Sequence, residues 1–203
     1  EARGIIIAEP PIEVESSYYD SFIGNTRLVV HPNGSALVEF SLYPLNTNGT
    51  PLDKKILDTF DDRPYLPDWV SKGRRYTSWM LNLTANEMAN VTMSAEMAGE
   101  VEAMNRTFAN ARTCTAWIRL PGANGSVNAS SAAPGEFNVT IIDPWASAGG
   151  YLDKLTVEWV GGLSLSSYGQ SGGAPPDQQS SSITWTNSIA SDAPAAVVLH
   201  FTP

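Results

Sequence analysis

Two extended runs, residues 26–31 and 35–43, flank the tripeptide Pro32-Asn33-Gly34. An Asn-Gly step between apolar runs is the strongest short-range signal for a β-hairpin, because the turn needs backbone conformations that Asn and Gly tolerate. In the second run Ala36, Val38, Phe40 and Leu42 fall on one face, with Glu39 and Ser41 on the other. A period of two buries one side of a strand, so the hairpin must lie against a second layer. The same requirement recurs down the chain. Residues 76–83 place Trp79, Leu81 and Leu83 inward, and 113–120 do so with Cys114, Ala116, Ile118 and Leu120. Residues 136–143 (Phe137, Val139, Ile141), 152–160 (Leu155, Val157, Trp159), 183–186 and 195–201 (Val197, Leu199, Phe201) repeat it. Alternation of strand and helix is absent, which argues against Rossmann and barrel-enzyme architectures.

The period changes once. Met93, Met97, Val101, Met104 and Phe108 are spaced four, four, three and four apart, which predicts an amphipathic helix over about 93–110. Thr84 and Glu87 have the spacing of a capping box for an earlier start, and Asn90 would then fall on the stripe side. Methionines in such a stripe are core side chains before they are a cofactor box. Residues 44–75 carry Pro44, Pro51, Pro64 and Pro67 and read as an irregular insertion, tacked down by Tyr65, Trp69 and Val70. Residues 121–135 read as a loop, and the Ser-, Gly-, Gln- and Pro-rich 166–182 as a mobile one. The expectation is an all-β fold: a β-sandwich, Ig-like or jelly-roll-like, with about nine strands and one inserted helix. Its body would be a single domain over 17–203, with a loop insertion at 44–75 and a helix insertion at 84–112.

Asparagine carries the strongest compositional signal. Of 13 Asn, eight sit in Asn-x-Ser/Thr sequons: Asn33, Asn48, Asn82, Asn90, Asn105, Asn124, Asn128 and Asn138. With 36 Ser and Thr among 203 residues, chance supplies only about two. The excess points to an extracellular, heavily N-glycosylated protein, with covalent glycans in place of a cofactor. The chain opens at Glu-Ala-Arg-Gly, as a mature protein does after leader removal. No apolar run approaches the roughly 20 residues of a membrane span. A net charge of −9 gives no basic face for nucleic acid. Cys114 is the only cysteine, so no intrachain disulfide forms, and its place among alternating apolar residues makes it a core thiol.

The search for chemistry yields weak candidates. His31, His200 and Cys114 are too few and too scattered for zinc. Gly169-Gln170-Ser171-Gly172-Gly173 fits the G-x-S-x-G pattern, with Asp177 or Asp192 and then His200 following. A nucleophile elbow needs a helix after the serine, and Ala174-Pro175-Pro176-Asp177 does not provide one. Asp58, Asp61, Asp62 and Asp68 offer hard oxygens for Ca²⁺, but Arg63 interrupts them, and salt bridges to Lys72, Arg74 and Arg75 account for them as well. Trp69, Trp145 and Tyr168 are loop aromatics that could face a sugar, or could tack loops to the core.

The N-terminus is a different kind of element. Gly4-Ile5-Ile6-Ile7-Ala8 is a short β-branched run, followed by Pro10-Pro11 and a second extended run through Ile12 and Val14. The prolines act as a stiff hinge. A run this apolar must pair, within its own domain or with another copy. A sticky β-branched N-terminal run with a proline hinge, a glycosylated β-rich body and no catalytic constellation together resemble subunits of archaeal threads and related extracellular pili. Many sequons without a disulfide framework fit that resemblance. It implies donor-strand complementation: residues 1–16 insert into the next subunit, giving a head-to-tail homopolymer at the cell surface that serves adhesion or biofilm, with other cells or polysaccharide as further partners. Gly4, Ile5, Ile6, Ile7, Ala8, Ile12 and Val14 would be the donor residues. The alternative is a monomeric or S-layer-associated surface glycoprotein with carbohydrate binding. Neither reading is enzymatic.

Overall fold

The computed structural model describes residues 22–44, 66–97, 100–103, 105–109, 111–120, 136–142, 144–145, 150–187 and 193–203. The proposed donor strand, three of the sequons (Asn48, Asn124, Asn128) and the acids Asp58, Asp61 and Asp62 lie outside these residues.

The fold is all-β with a small helical insertion. Strand β1 (Phe22–Val30) and strand β2 (Ser35–Pro44) form the expected antiparallel hairpin, with Leu28 opposite Val38 and Val30 opposite Ala36. At its tip the His31 amide donates to Ser35 O at 2.9 Å and the Gly34 amide to His31 O at 3.0 Å. Gly34 takes a φ of 76°, the left-handed position that closes a three-residue hairpin loop. The helices follow: α1 (Leu66–Met80) and the short α2 (Ala85–Ala89). Then come β3 (Met93–Met97), β4 (Glu100–Ala103), β5 (Arg106–Ala109) and β6 (Arg112–Arg119). The chain finishes with β7 (Phe137–Ile142), β8 (Gly150–Trp159), β9 (Ser164–Gln170), β10 (Asp177–Gln178), β11 (Ser182–Thr186) and β12 (Ala196–Thr202).

Seven strands make one sheet in the order β10-β11-β8-β1-β2-β6-β3, and three make a second in the order β7-β12-β9. β4 and β5 form a separate ribbon. In the large sheet β1 runs parallel to β8 and antiparallel to β2. The inner faces meet in one apolar core, where Leu28, Val38, Phe40, Val157 and Trp185 from the large sheet join Val139, Ile141, Leu199 and Phe201 from the small one. Phe201 stands between Trp159 and Phe137, with ring centroids 5.8 and 5.7 Å away. Such aromatic contacts add to what burial alone supplies. Cys114 is fully buried in this core, as its alternation implies.

Three expectations about segment type are corrected. Residues 93–110 are not a helix but strands β3, β4 and β5. Met93, Met97 and Val101 are spaced by even steps, which keep side chains on one face of a strand as well as of a helix. The decisive alternation was Glu100-Val101-Glu102-Ala103, where Val101 and Ala103 are buried and both glutamates exposed. Second, the helical insertion is upstream, and its last turn contains Tyr76 to Met80, which read as strand. Pro67 sits in the first turn of α1, where a missing N–H costs nothing. Gly73, Thr77 and Met80 are its fully buried side, and Trp79 points outward. The 44–75 insertion is therefore helical from Leu66 onward. Third, 166–182 is not a structureless loop, because β9 and β10 lie in it. β9 is held by its main-chain ladder to β12 and shows almost no buried side chains, so it carries no apolar period.

The capping box is as expected. The Thr84 amide donates to Glu87 Oε2 at 2.7 Å, and the Glu87 amide donates back to Thr84 Oγ1 at 3.3 Å. Both orphan donors at the start of α2 are satisfied.

Candidate functional site

Five sequon asparagines fall among the described residues, and all five are exposed. Each owes its exposure to a definite piece of backbone. Asn33 occupies the β1–β2 turn, and its Oδ1 accepts from the Ser35 amide at 2.9 Å and the Ser35 hydroxyl at 2.7 Å. Asn82 follows α1 with φ 49°, and Asn105 turns the β4–β5 ribbon with φ 56°. Among the described residues these are the only non-glycine positions of positive φ, a region Asn tolerates better than other side chains. Asn90 caps the C-terminus of α2. Asn138 points outward from β7 while Phe137 and Val139 point in. Its Oδ1 lies 2.7 Å from His200 Nδ1, so Nδ2, the atom a glycan would use, is not the one engaged.

Around Asn82 the surface is concave. Arg74, Arg75, Ser78, Trp79, Asn82, Leu83 and Met88 line a shallow cleft of about 500 Å³ between α1 and α2. Its floor is apolar, since Leu83 and Met88 are buried. One wall is Trp79, 40% exposed and with its ring edge-on to Tyr76 at 6.3 Å. Tyr76 is itself fixed by its hydroxyl, which donates to Pro144 O, and by an edge contact with Phe40 at 4.7 Å. Arg74 sends its guanidinium to the carbonyls of Met88 at 2.7 Å and of Val91, joining α1 to the segment after α2. Of the acids proposed as its salt-bridge partners, Asp58, Asp61 and Asp62 lie outside the described residues. Arg75 stays exposed on the rim.

The sheet edges differ in how they are protected. β10 has two residues and carries Asp177, and β3 carries Glu96 and lies under α1. The chain leaving β7 meets α1 through Tyr76 and Pro144. Among the described residues β9 shows none of these devices. It is seven residues long, pairs only with β12 among the described residues, and belongs to a stretch, 159–176, without one charged side chain. Short edges, charges and covering elements are the usual defences against added strands.

The remaining candidates are dispersed. His31 meets Trp117 at a tilt, with centroids 5.1 Å apart, while His200 is bound to Asn138 and has Nε2 3.8 Å from Glu136. No group of three or more His, Cys, Asp or Glu among the described residues could hold a metal. Ser171 is exposed, its amide donates to Ala196 O at 2.9 Å, and a turn through Gly172 (φ 71°) and Gly173 (φ 78°) follows it. That turn is organised by Gln170, whose Nε2 donates to the carbonyls of Gly172, Gly173 and Ala174 and whose Oε1 accepts from Trp185 Nε1 at 2.9 Å. Burial drives the Cys114 thiol up to about 12, so it is held protonated.

Of the aromatics singled out from the sequence, Trp145 is half-buried and its Nε1 donates to Pro194 O at 3.1 Å, which pins a turn to the core. Tyr168 is exposed on β9 and meets Trp185 edge-on at 6.2 Å. Trp69 falls in α1. Sequence reasoning missed Trp79 and Trp117, the second being 57% exposed on the outer face of the large sheet. Trp79 had a signal: it stands three residues before a sequon, one helical turn away.

No family model matches the chain, and no curated protein does. Among solved structures, the folded domain of Mycobacterium tuberculosis LppM, determined by NMR, is similar over 88% of each chain, at 9% identity and a TM-score of 0.38. A likeness this slight carries no argument about function. No helix among the described residues is long and apolar enough to cross a membrane.

Proposed function

We propose that this chain is the subunit of an extracellular, N-glycosylated filament, polymerised by insertion of its N-terminal strand into the neighbouring copy. The observation that carries the reading is the unguarded outer edge of β9, seven uncharged residues with no strand beside them among those described. A donor strand added there gains main-chain hydrogen bonds, and its alternate side chains add apolar contact along one face. Gly4 to Ala8 suits that role, being uncharged and β-branched. Burying Ile5 and Ile7 would stabilise each junction by roughly 1.5–3 kcal/mol per side chain. A head-to-tail contact that does not close on itself grows into a filament. The exposure of all five described sequon asparagines supports an extracellular setting and a glycan coat. The filament's role would be adhesion or biofilm.

The test is electron microscopy of the native protein, beside a variant carrying Ile5→Asp and Ile7→Asp. Regular fibres for the first and folded monomers for the second are expected. Fibres that persist in the variant, or a native monomer whose Ile5–Ile7 run pairs in its own sheet, sink the proposal.

A second reading, a monomeric or S-layer-associated glycoprotein that binds carbohydrate, is favoured by Trp117. Its ring stands beside His31 on the open face of the large sheet. Loss of polysaccharide retention on Trp117→Ala, with no fibres in the native protein, would move the weight to it.

A further inference from the structure

We infer that the cleft between α1 and α2 is the seat of this chain's own glycan at Asn82, with Trp79 as the platform on which the first sugars stack. The inference rests on the reading that the chain is N-glycosylated, and it says what one glycan does once attached. Attachment joins Asn82 Nδ2 to C1 of the sugar, with loss of a proton from nitrogen and departure of a lipid-linked pyrophosphate.

Three features converge. Asn82 and Trp79 line the same cleft, and the Asn82 backbone N–H donates to Trp79 O at 3.1 Å, so the two residues' backbones are held in one fixed turn. The positive φ of Asn82 marks a tight turn after the helix, which directs the chain back along α1. Trp79 is also pre-positioned: Tyr76 supports it on one side, and its exposed surface is turned to the cleft. The electron-rich face of an indole attracts the C–H groups on the apolar side of a pyranose. The cleft then supplies what the rest of a sugar requires. Leu83 and Met88 form an apolar floor, and Arg75, exposed on the rim, can donate to sugar hydroxyls or to an acidic sugar. The other described sequon asparagines are not among the residues that line this cleft. Asn105 is itself the turn of the β4–β5 ribbon, beside exposed Arg106, and so serves as an internal control.

The experiment uses the full chain secreted from a glycosylating host. Mass spectrometry gives the occupancy of each sequon, and the native protein is then treated with an endoglycosidase. Expected is an occupied Asn82 whose glycan is released about three- to tenfold more slowly than that at Asn105, the difference worth one aromatic contact. Trp79→Leu should erase the difference, Trp79→Phe should keep most of it, and denaturation should abolish it. In the wild type the sugar protons at Asn82 should move upfield in the NMR spectrum, a readout that does not depend on any variant folding. Equal release at Asn82 and Asn105 without ring-current shifts overturns the inference and leaves the glycoprotein reading intact. An empty Asn82 beside occupied sequons does the same. A chain with no occupied sequon would overturn both.

Discussion

Arg27 and Glu158 are 131 positions apart in the chain and are joined by two hydrogen bonds, Nε to Oε1 at 2.9 Å and Nη2 to Oε2 at 2.8 Å, across the parallel pairing of β1 and β8. Glu39 on β2 lies 3.8 Å from the same guanidinium. The hydrogen bond from Arg27 holds the Glu158 carboxyl below the usual carboxylate range, although partial burial opposes it. A lowered folded-state value means that the unfolded chain binds more protons in acid. The pair's stabilisation is therefore complete above the ordinary carboxylate range and is lost as pH falls through the lowered value. Both side chains are about a third exposed or more, at 42% and 32%, so screening limits the effect to about 0.5 kcal/mol. Glu158→Gln should lower stability by about that much at neutral pH. It should also flatten the acid limb of a denaturation series, and an unchanged acid limb would refute the assignment.

Cys114 should be chemically silent in the folded protein. A buried thiol driven up to about 12 has almost no thiolate at pH 8. A maleimide or disulfide reagent should therefore label it only at the rate of unfolding, and denaturant should restore full reactivity. Fast labelling of the native state would contradict the packing described here.

Gly73 inverts an ordinary rule. Glycine to alanine inside a helix normally gains roughly 0.5–1 kcal/mol. Here the added Cβ would come 2.4 Å from Met93 Sδ and 3.4 Å from Cys114 Cβ. Gly73 is the point where α1 closes on β3 and β6, and Met93 is itself buried. Gly73→Ala is expected to destabilise by about 1–3 kcal/mol, as overpacking does. A stabilised variant by thermal denaturation would show that the helix can lift off.

Thr84 occupies two positions at once. It is the third residue of the Asn82 sequon and the N-cap of α2. In unglycosylated protein Thr84→Ala should cost about 1 kcal/mol and Thr84→Ser much less. In a glycosylating host the first change should also empty Asn82, whereas Ser preserves both functions. A Thr84→Ala variant as stable as wild type without glycan would remove the cap from this account.

Thr26 is a polar residue in the wrong place by ordinary rules. It is 1% exposed, and its Oγ1 has no hydrogen-bond partner among the described residues. Thr26→Val keeps the shape and removes a buried, unsatisfied hydroxyl. It should stabilise the protein by about 1 kcal/mol, read as a rise in denaturation midpoint.

The strands that one can read from the sequence are those whose side chains do the work. Ala36, Val38, Phe40 and Leu42, or Val197, Leu199 and Phe201, announce their strands because burial on one face forces the alternation. β9 is held chiefly by its main-chain ladder to β12, and Ser164 to Gln170 accordingly gives no pattern. The Met93–Met97–Val101 spacing satisfies two periods at once, and only the neighbouring glutamates separate them. The candidate site follows the same logic. The sequons were legible as a motif, and their exposure follows from turn chemistry at Asn33 and Asn105. The cleft was not, because it depends on two helices that meet through Arg74 and two carbonyl oxygens, a contact with no periodic trace.

The placement of β1 has a consequence in time. It lies near the middle of the large sheet, between its immediate neighbour in sequence and β8, whose last residue is Trp159. A ribosome adding about 5–20 residues per second needs on the order of ten seconds to go from the end of β1 to the end of β8. Throughout that interval the first hairpin exists with one long, apolar flank open. Non-local, parallel closure of this kind is also intrinsically slow. The body is therefore completed late and nearly at once, when β8 arrives, and truncation anywhere before residue 159 should yield not a smaller folded domain but an aggregation-prone hairpin.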